Sequence, residues 1–264
     1  MWTGSRVVVV VPAYDEAPRI GRVVRGMPPW VDAIVLVDDA STDGTADVAR
    51  SVGDPRLAVV RRPRNGGVGA AIVAGYRRAL SEPGGPRDAF VVMAGDGQMD
   101  PADLPAVVTP IAAGDADYVK GDRFASARTL AAMPAARRLG GVAFSWATSM
   151  AIGVAIADSQ CGYTAVARHA CAELDLDALW PGYGYPNDLL SQLVLRGLRI
   201  REVPVRAVYA DEVSRLKPRH VPVVAGLVAR AWVRRLLAPA LRRGGSERAI
   251  QDRRDVREGV VEVE

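Results

Sequence analysis

One segment of this 264-residue chain says most about its fold, and it reads Phe90-Val91-Val92-Met93-Ala94-Gly95-Asp96-Gly97-Gln98-Met99-Asp100-Pro101. Its apolar first half predicts a buried strand that ends abruptly in polar residues. Asp96, Gln98 and Asp100 place side-chain oxygens at alternate positions beyond that strand, at the edge where open α/β sheets bind ligands. Such oxygens suit a hard divalent cation, Mg²⁺ or Mn²⁺. The alternative is a solvated turn in which Asp100 caps the next helix.

Strands and helices alternate on both sides of this segment. Apolar runs predict strands at residues 7–11, 33–37, 57–60, 89–93 and 200–205. The intervening segments show helical periodicity, as in Ile20, Val23, Val24 and Met27. This alternation predicts an α/β fold with a Rossmann-like, mostly parallel sheet and crossover helices.

The second half of the chain is less regular. Residues 123–140 are rich in Arg, Ala and Pro, and we expect a mobile segment there, beside the site. Helices are predicted near residues 141–152 and 188–196. The predicted organisation is one α/β domain over residues 1–218, an amphipathic helical segment over 219–243 and a charged, disordered tail over 244–264.

Composition narrows the classes of function. A net charge of +4 is too small to argue for nucleic-acid binding. Two cysteines, Cys161 and Cys171, are too few for a disulfide framework and fit a reducing cytosol. His169 and His220 lie in no ligand-like spacing. With no signal peptide and no run of about 20 apolar residues, the expected location is cytoplasmic or peripheral on the inner face of the membrane.

The turns after the first strands do not fit common phosphate loops. Pro12-Ala13-Tyr14-Asp15-Glu16 follows the first strand and lacks the glycines of a dinucleotide site. The glycine cluster at residues 65–69 matches neither GxGxxG nor a P-loop, and we interpret it as a tight turn with close helix approach. Carboxylates at the ends of the first two strands are instead expected to hydrogen-bond a base and a ribose, with phosphates near the cation.

This ordered set of motifs resembles the nucleotide-sugar glycosyltransferases of family 2, which have the GT-A fold. The matching segments are residues 10–16, 37–45, 65–71, 95–101, 121–124, 133–140 and 158–163. The branch that acts on polyprenyl phosphates, similar to dolichol-phosphate mannose synthases, is matched by residues 185–190, 196–198, 202–205 and 209–214. The resemblance covers about residues 6–218, and it implies a metal-dependent, inverting transfer of sugar from a UDP- or GDP-sugar to polyprenyl phosphate.

The resemblance also implies roles for individual residues. Nucleotide-sugar binding is expected at Pro12, Tyr14, Glu16, Asp39, Asp96, Ser214 and Lys217. The metal ligands are expected to be Asp96 and Gln98. Acceptor contacts are expected at Arg123, Arg137, Asp158 and Gln160, although Asp158 has the alternative role of capping the turn at Gly162. The candidate catalytic residues are Asp96, Asp188 and Arg123.

One position departs from the family pattern. The metal motif of the family is usually Asp-x-Asp, and its first Asp corresponds to Ala94 here. Either Asp100 or substrate oxygens complete the metal shell, because Mg²⁺ commonly binds through one or two carboxylates plus phosphates. The other hypothesis is a relative that binds nucleotide sugars without turnover.

The acceptor remains open between two chemical classes. A phosphate monoester has a second pKa of about 6 and needs no base. A soluble hydroxyl acceptor needs one, and Asp188 is the candidate; its alternative role is that of a helix N-terminal acid. Arginines interrupt the apolar residues 221–241, which predicts a helix on an anionic membrane surface or one packed on the core or on a partner subunit.

Overall fold

Seven strands form one sheet in the order β3-β2-β1-β4-β6-β5-β7 in the computed structural model. The structure describes residues 1–208 and 220–238, without the side chains of residues 127, 128, 132, 136 and 137. The strands are β1 (Val7–Ala13), β2 (Ala33–Asp38), β3 (Leu57–Arg61), β4 (Ala89–Val92), β5 (Tyr118–Asp122), β6 (Thr164–Ala167) and β7 (Ile200–Pro204). The helices are α1 (Ala17–Arg25), α2 (Thr45–Ser51), α3 (Val68–Leu80), α4 (Leu104–Ala112), α5 (Ala127–Ala132), α6 (Ala135–Ile152), α7 (Arg168–Glu173), α8 (Tyr185–Leu195) and α9 (221–238).

Parallel pairing dominates the sheet, as the alternation of elements predicts. Among the seven strands of the described residues, only β6 runs antiparallel to its neighbours, β4 and β5. The strands β1, β2 and β4 are continuous apolar runs because helices cover both faces of the sheet. Helix α1 contributes Ile20, Val23, Val24 and Met27 to the core, which confirms its predicted apolar face.

The carboxyl ends of four strands meet at one edge of the sheet. Ala13 of β1 is in register with Asp38 of β2, and the Asp39 amide donates to the Ala13 carbonyl over 2.9 Å. The Gly95 amide likewise donates to the Pro12 carbonyl over 3.0 Å. Because β6 is antiparallel to β4 and to β5, those two strands point the same way and β5 ends at this edge too. This edge therefore gathers the loops that carry the motifs.

Several local elements differ from the sequence-based expectations. The expected mobile segment 123–140 contains α5 and the start of α6, because its alanines favour helix and the Ser126 side chain accepts a hydrogen bond from the Thr129 amide. Helix α6 thus begins at Ala135, before the predicted residue 141. Strand β6 and helix α7 were missed, because elements of four and six residues give little periodicity.

The predicted C-terminal helix is present as α9. The predicted tail over residues 244–264 lies outside the described residues. Within residues 1–208 and 220–238, no helix combines the length and apolar character needed to cross a membrane.

Candidate active site

The loops after β1 and β2 are joined to each other by hydrogen bonds. Asp15 has a positive φ of 51°, and its carboxylate accepts from the Thr42 amide over 2.9 Å. The Asp15 amide donates to the Ser41 hydroxyl over 3.0 Å, and the Glu16 amide donates to the Thr45 hydroxyl over 2.8 Å. The strained Asp15 conformation persists because these bonds fix both loops together. Tyr14 and Glu16, two of the predicted nucleotide-binding residues, are thereby held at the sheet edge.

Asp39 is buried and bonded within the protein. Its carboxylate accepts from the amides of Gly66 and Gly67, the latter over 2.8 Å, and it forms an ion pair with Arg62. A pocket of about 470 Å³ lies beside it, lined by Ala40, Ser41, Arg61, Arg62 and Pro63. Asp39 therefore fixes the glycine loop through these two amides, and if Asp39 also contacts a base, the same carboxylate must serve both purposes.

The glycine cluster at residues 65–69 is a packed turn. Gly67 has a φ of 91°, and a Cβ at Gly69 would overlap the Trp180 carbonyl oxygen. The Ala70 amide donates to the Pro181 carbonyl over 2.9 Å. The interpretation as a tight turn with close backbone approach is confirmed. Only glycine permits this approach, because any side chain would push the 180–182 segment away.

The acidic turn after β4 carries Asp96 and Gln98, the two predicted metal ligands. Asp96 accepts a hydrogen bond from the Gln98 amide over 3.0 Å, which closes the turn. Asp100 caps the following helical turn through the Ala102 amide over 2.9 Å, and its other oxygen lies 3.3 Å from Arg206 Nη2. The capping role of Asp100 is thus confirmed, and its carboxylate already has two partners.

The side-chain oxygens of Asp96 and Gln98 suit a cation that also binds oxygens of the substrate. Ala94 supplies no ligand, and within the described part of the chain no cluster of three His, Cys, Asp or Glu side chains could hold a metal. Asp96 and Gln98 supply hard oxygen atoms, as Mg²⁺ or Mn²⁺ requires. Such a cation needs the remainder of its shell from water and diphosphate oxygens.

The chain after β7 crosses the acidic turn. The Val208 amide donates to the Gln98 carbonyl over 2.9 Å, and Met99 forms a β-bridge with Ala207. Arg206 donates to Asp103 through its side chain and its amide. The next residues along the chain include Ser214 and Lys217, two predicted donor-binding residues, which lie outside the described residues.

Arg123 is fixed by Asp158 at the end of β5. Arg123 Nε and Nη2 lie 2.6 and 2.9 Å from the two oxygens of the Asp158 carboxylate. Burial raises the pKa of Asp158, but the hydrogen bonds and charge of Arg123 outweigh it and hold that pKa below its ordinary value. Asp158 is fully buried and both of its carboxylate oxygens contact Arg123, so in this arrangement it orients Arg123; its direct contact with an acceptor stays a prediction.

Lys120 is buried beside this pair. Its ammonium donates to the Cys161 carbonyl over 2.7 Å. Burial lowers the pKa of Lys120. Arg123 is therefore the partly exposed member of a charged group that β5 and the 158–161 turn hold together.

Asp188 is buried at the N-terminal turn of α8 and has three partners. Oδ1 accepts from Arg234 Nη1 over 2.6 Å, and Oδ2 lies 2.7 Å from Arg230 Nη2. Oδ2 also accepts from the Trp180 amide over 2.9 Å. Both arginines belong to α9, so the ion pairs join this helix to Asp188, the residue predicted to act as a base.

Two of the three arginines in the described part of α9 point away from the surface that the membrane hypothesis requires, and the third, Arg235, is exposed. Arg230 and Arg234 face the protein, and Val224, Leu227 and Ala231 are buried against it. The alternative of a helix packed on the core is therefore confirmed for this face. Apolar residues occupy the outer face: Val221, Trp232, Val233, Leu236 and Leu237 are exposed.

The remaining predicted residues take varied positions. Gln160 is partly buried, and its amide donates to the Ser159 hydroxyl over 2.9 Å. Pro12 is buried and contributes its carbonyl to the sheet edge. The backbone of Arg137 lies in α6, and its side chain is outside the description. No role at the site was predicted for Arg62, Arg230 or Arg234; the i,i+4 spacing of the last two was the signal that could have paired them.

Comparison with known proteins identifies the family. Residues 8–161 match the sequence profile described as Glycosyl transferase family 2. The chain is a family 2 glycosyltransferase. It is 34% identical over 211 residues to an undecaprenyl-phosphate mannosyltransferase of Micrococcus luteus, covering 76% of this chain and 82% of that protein. It is 31% identical to a polyprenol monophosphomannose synthase of Mycolicibacterium smegmatis, and the match covers 76% of this chain and 77% of that protein.

Solved structures agree with the fold. Glucosyl-3-phosphoglycerate synthase of Mycobacterium tuberculosis, crystallised with Mn²⁺, UDP-glucose and phosphoglyceric acid, superposes with a TM-score of 0.64 and 21% identity, covering 88% of this glycosyltransferase and 80% of that chain. The GT-A fold and the resemblance to polyprenyl-phosphate glycosyltransferases are confirmed. The enzyme is a nucleotide-sugar-dependent glycosyltransferase.

Proposed function

We propose that this enzyme transfers a sugar from a UDP- or GDP-sugar to a polyprenyl phosphate and inverts the anomeric configuration. Two relatives that each align with about three quarters of the chain are named for polyprenyl or undecaprenyl-phosphate mannosyl transfer. The observation that carries the choice of acceptor is the environment of Asp188, the position that would otherwise serve as a base.

The contacts of Asp188 disfavour a hydroxyl acceptor. A general base must reach the proton that it removes. Both Asp188 oxygens face arginines of α9, and the carboxylate is 1% exposed. Accepting a proton would require the loss of at least one ion pair and movement of α9. A phosphate acceptor needs no such step, because its oxygen is already anionic near neutral pH.

The donor is proposed to lie along the edge from β2 to β4. Pro12, Tyr14, Glu16 and Asp39 would contact the base and the ribose at one end of this edge. Asp96 and Gln98 would hold Mg²⁺ or Mn²⁺ against the diphosphate. When bound, the cation would neutralise charge that develops on the leaving diphosphate, a contribution of several kcal/mol to the transition state.

Arg123 is proposed to bind a phosphate between donor and acceptor. Its guanidinium is held in one orientation by Asp158 and remains partly exposed. An oriented guanidinium binds phosphate oxygens without being reordered during the reaction. Gln160 and Arg137 are the proposed further acceptor contacts, since the backbone of Arg137 lies in the first turn of α6 and Gln160 lies after α6, close in sequence to Asp158.

The enzyme is proposed to work in the cytoplasm, peripherally on the inner face of the membrane. A nucleotide-sugar donor is water-soluble, whereas a polyprenyl phosphate is held in the bilayer. The exposed apolar residues of α9 would supply the surface for this arrangement, whereas Arg230 and Arg234 face the protein.

A paired acceptor assay tests the proposal. UDP-glucose, UDP-N-acetylglucosamine and GDP-mannose would each be incubated with Mn²⁺ or Mg²⁺ and either a short-chain polyprenyl phosphate or the matching polyprenol. We expect transfer to the phosphate only and loss of transfer with EDTA. Transfer to the alcohol, or to soluble hydroxyls alone, would restore Asp188 as base. Nucleotide-sugar binding without hydrolysis or transfer would support the non-catalytic alternative that Ala94 raised.

A further inference from the structure

Helix α6 presents two chemically different faces. Its inner face contacts the candidate site: the Ser145 hydroxyl accepts from the Ser159 amide over 2.9 Å. The Thr148 hydroxyl lies 2.9 Å from Oδ1 of Asn187, the neighbour of Asp188. One face of α6 is thus part of the wall behind the proposed acceptor region.

The outer face of α6 is an exposed apolar stripe. Leu139, Val142, Trp146 and Met150 follow one another at spacings of three and four residues, so they share one side of the helix. Their exposed fractions are 74%, 51%, 68% and 61%. Four large apolar side chains this exposed on one helix exceed the scattered apolar residues of an ordinary soluble surface.

Helix α9 lies against the C-terminal end of α6. Arg235 Nη1 donates to the Met150 carbonyl over 3.0 Å, which joins α9 to the C-terminal turn of α6. Trp232 and Leu236, on the outer side of α9, are 54% and 60% exposed. We define the two-helix surface as Leu139, Val142, Trp146, Met150, Trp232 and Leu236.

We propose that the two-helix surface docks the enzyme on an anionic lipid bilayer. This inference rests on the proposed function, because a lipid-borne acceptor must be met at a membrane. Tryptophan favours the membrane interface, where its ring is apolar and its N–H remains hydrated. Arg138 and Arg235 are exposed on the same helices, and the net charge is +4, both of which favour anionic headgroups.

Charge also argues for lipid over a second copy of the chain. A two-fold dimer would place the same patch on both sides of the interface. It would then bring the exposed arginines of one copy close to those of the other, at an electrostatic cost. A bilayer with anionic headgroups neutralises the same side chains.

Vesicle flotation tests the surface directly. The full-length enzyme would be mixed with extruded vesicles of phosphatidylethanolamine and phosphatidylglycerol, and separately with phosphatidylcholine vesicles. The test variant is the double substitution Trp146→Ser with Trp232→Ser. The matched control is Val48→Ser, which removes an exposed apolar side chain from α2. Thermal melts establish that each variant is folded.

We expect wild type and V48S to float with anionic vesicles, and the double variant to bind them about tenfold or more weakly, since two aromatic insertions are lost. Arg138→Glu should weaken binding to anionic vesicles while leaving binding to phosphatidylcholine unchanged. Equal flotation of wild type and the double variant would overturn the proposal. A wild-type dimer that the double variant converts to monomer, with no vesicle binding, would overturn it in favour of a second copy.

Transfer assays separate this inference from the proposed function. With the acceptor in vesicles, the double variant should lose activity in proportion to binding, and with a short-chain, detergent-dispersed acceptor it should match wild type. If neither wild type nor the double variant transfers sugar to either acceptor, the proposed function is wrong. The flotation result still decides whether the two-helix surface binds lipid.

Discussion

Replacing Asp188 by Asn separates an ion-pairing role from a base. The substitution keeps the shape and an oxygen for the Trp180 amide, but it leaves Arg230 and Arg234 without their counter-charge. Breaking a fully buried pair costs about 3–5 kcal/mol. The two arginines are 37% and 31% exposed, so solvent compensates part of this loss. We therefore expect D188N to lower the free energy of unfolding by about 1–3 kcal/mol.

The kinetic effect should be small if the acceptor is a phosphate. A lost general base lowers the rate by about 10²–10⁴-fold. An ion-pairing Asp188 predicts a fall in kcat of less than about tenfold with polyprenyl phosphate, measured below the unfolding transition. Urea unfolding followed by tryptophan fluorescence gives the stability, and a radiolabelled donor gives the rate.

Arg234→Gln is the matched control for this prediction. It removes one of the ion pairs without touching the carboxylate, and together with D188N it forms a double-mutant cycle. The two substitutions should be less than additive in stability, because each breaks the same pair. A loss of kcat above a hundredfold in folded D188N, with R234Q close to wild type, would refute the ion-pairing role and identify Asp188 as a base.

Three further predictions address the rest of the site and the fold. Asp96→Asn should weaken Mn²⁺ binding in the presence of UDP about tenfold or more, as measured by calorimetry. Without UDP, Mn²⁺ should bind wild type only weakly. Tight binding of Mn²⁺ without nucleotide would contradict a metal shell shared with the diphosphate. Arg123→Lys should lower kcat/KM about a hundredfold, because lysine lacks the fork that Asp158 orients, and equal rates would exclude Arg123 from the site. Hydrogen bonds from Arg199 hold the pKa of Asp117 at about 2, against 3.8 ordinarily, so Asp117 stabilises the fold above pH 3.8 and this contribution is lost as pH falls towards 2. Asp117→Asn should therefore be about 1–2 kcal/mol less stable than wild type at pH 7 and equal to it near pH 2, and a difference independent of pH would contradict this.

The sheet and its functional edge were predictable from the sequence because their causes are local. Continuous apolar runs specify buried parallel strands, and a parallel strand ends where its polar residues begin. Asp96 and Asp39 are therefore expected at one edge of the sheet, independently of the structure of the other segments. The helix cap formed by Asp100 was also predictable from the sequence, because Pro101 follows Asp100 directly.

The partners of the site residues were not predictable, because they are distant in sequence. Asp188 meets arginines more than 40 positions later, and Asp158 meets Arg123 across 35. No spacing rule predicts such pairs, and they decide which carboxylates are available for chemistry. The amphipathic pattern of 221–241 indicated a helix but not its orientation, which is set by Asp188 inside the protein.

NMR of the reaction product tests the central claim most directly. The donor would carry ¹³C at its anomeric carbon, and the lipid product formed with Mn²⁺ would be analysed for its ³¹P coupling and anomeric configuration. We predict a sugar bonded to the phosphate oxygen with the anomeric configuration opposite to that in the donor, and no product without the cation. A retained configuration, a glycoside of a hydroxyl group, or undiminished transfer in EDTA would contradict it.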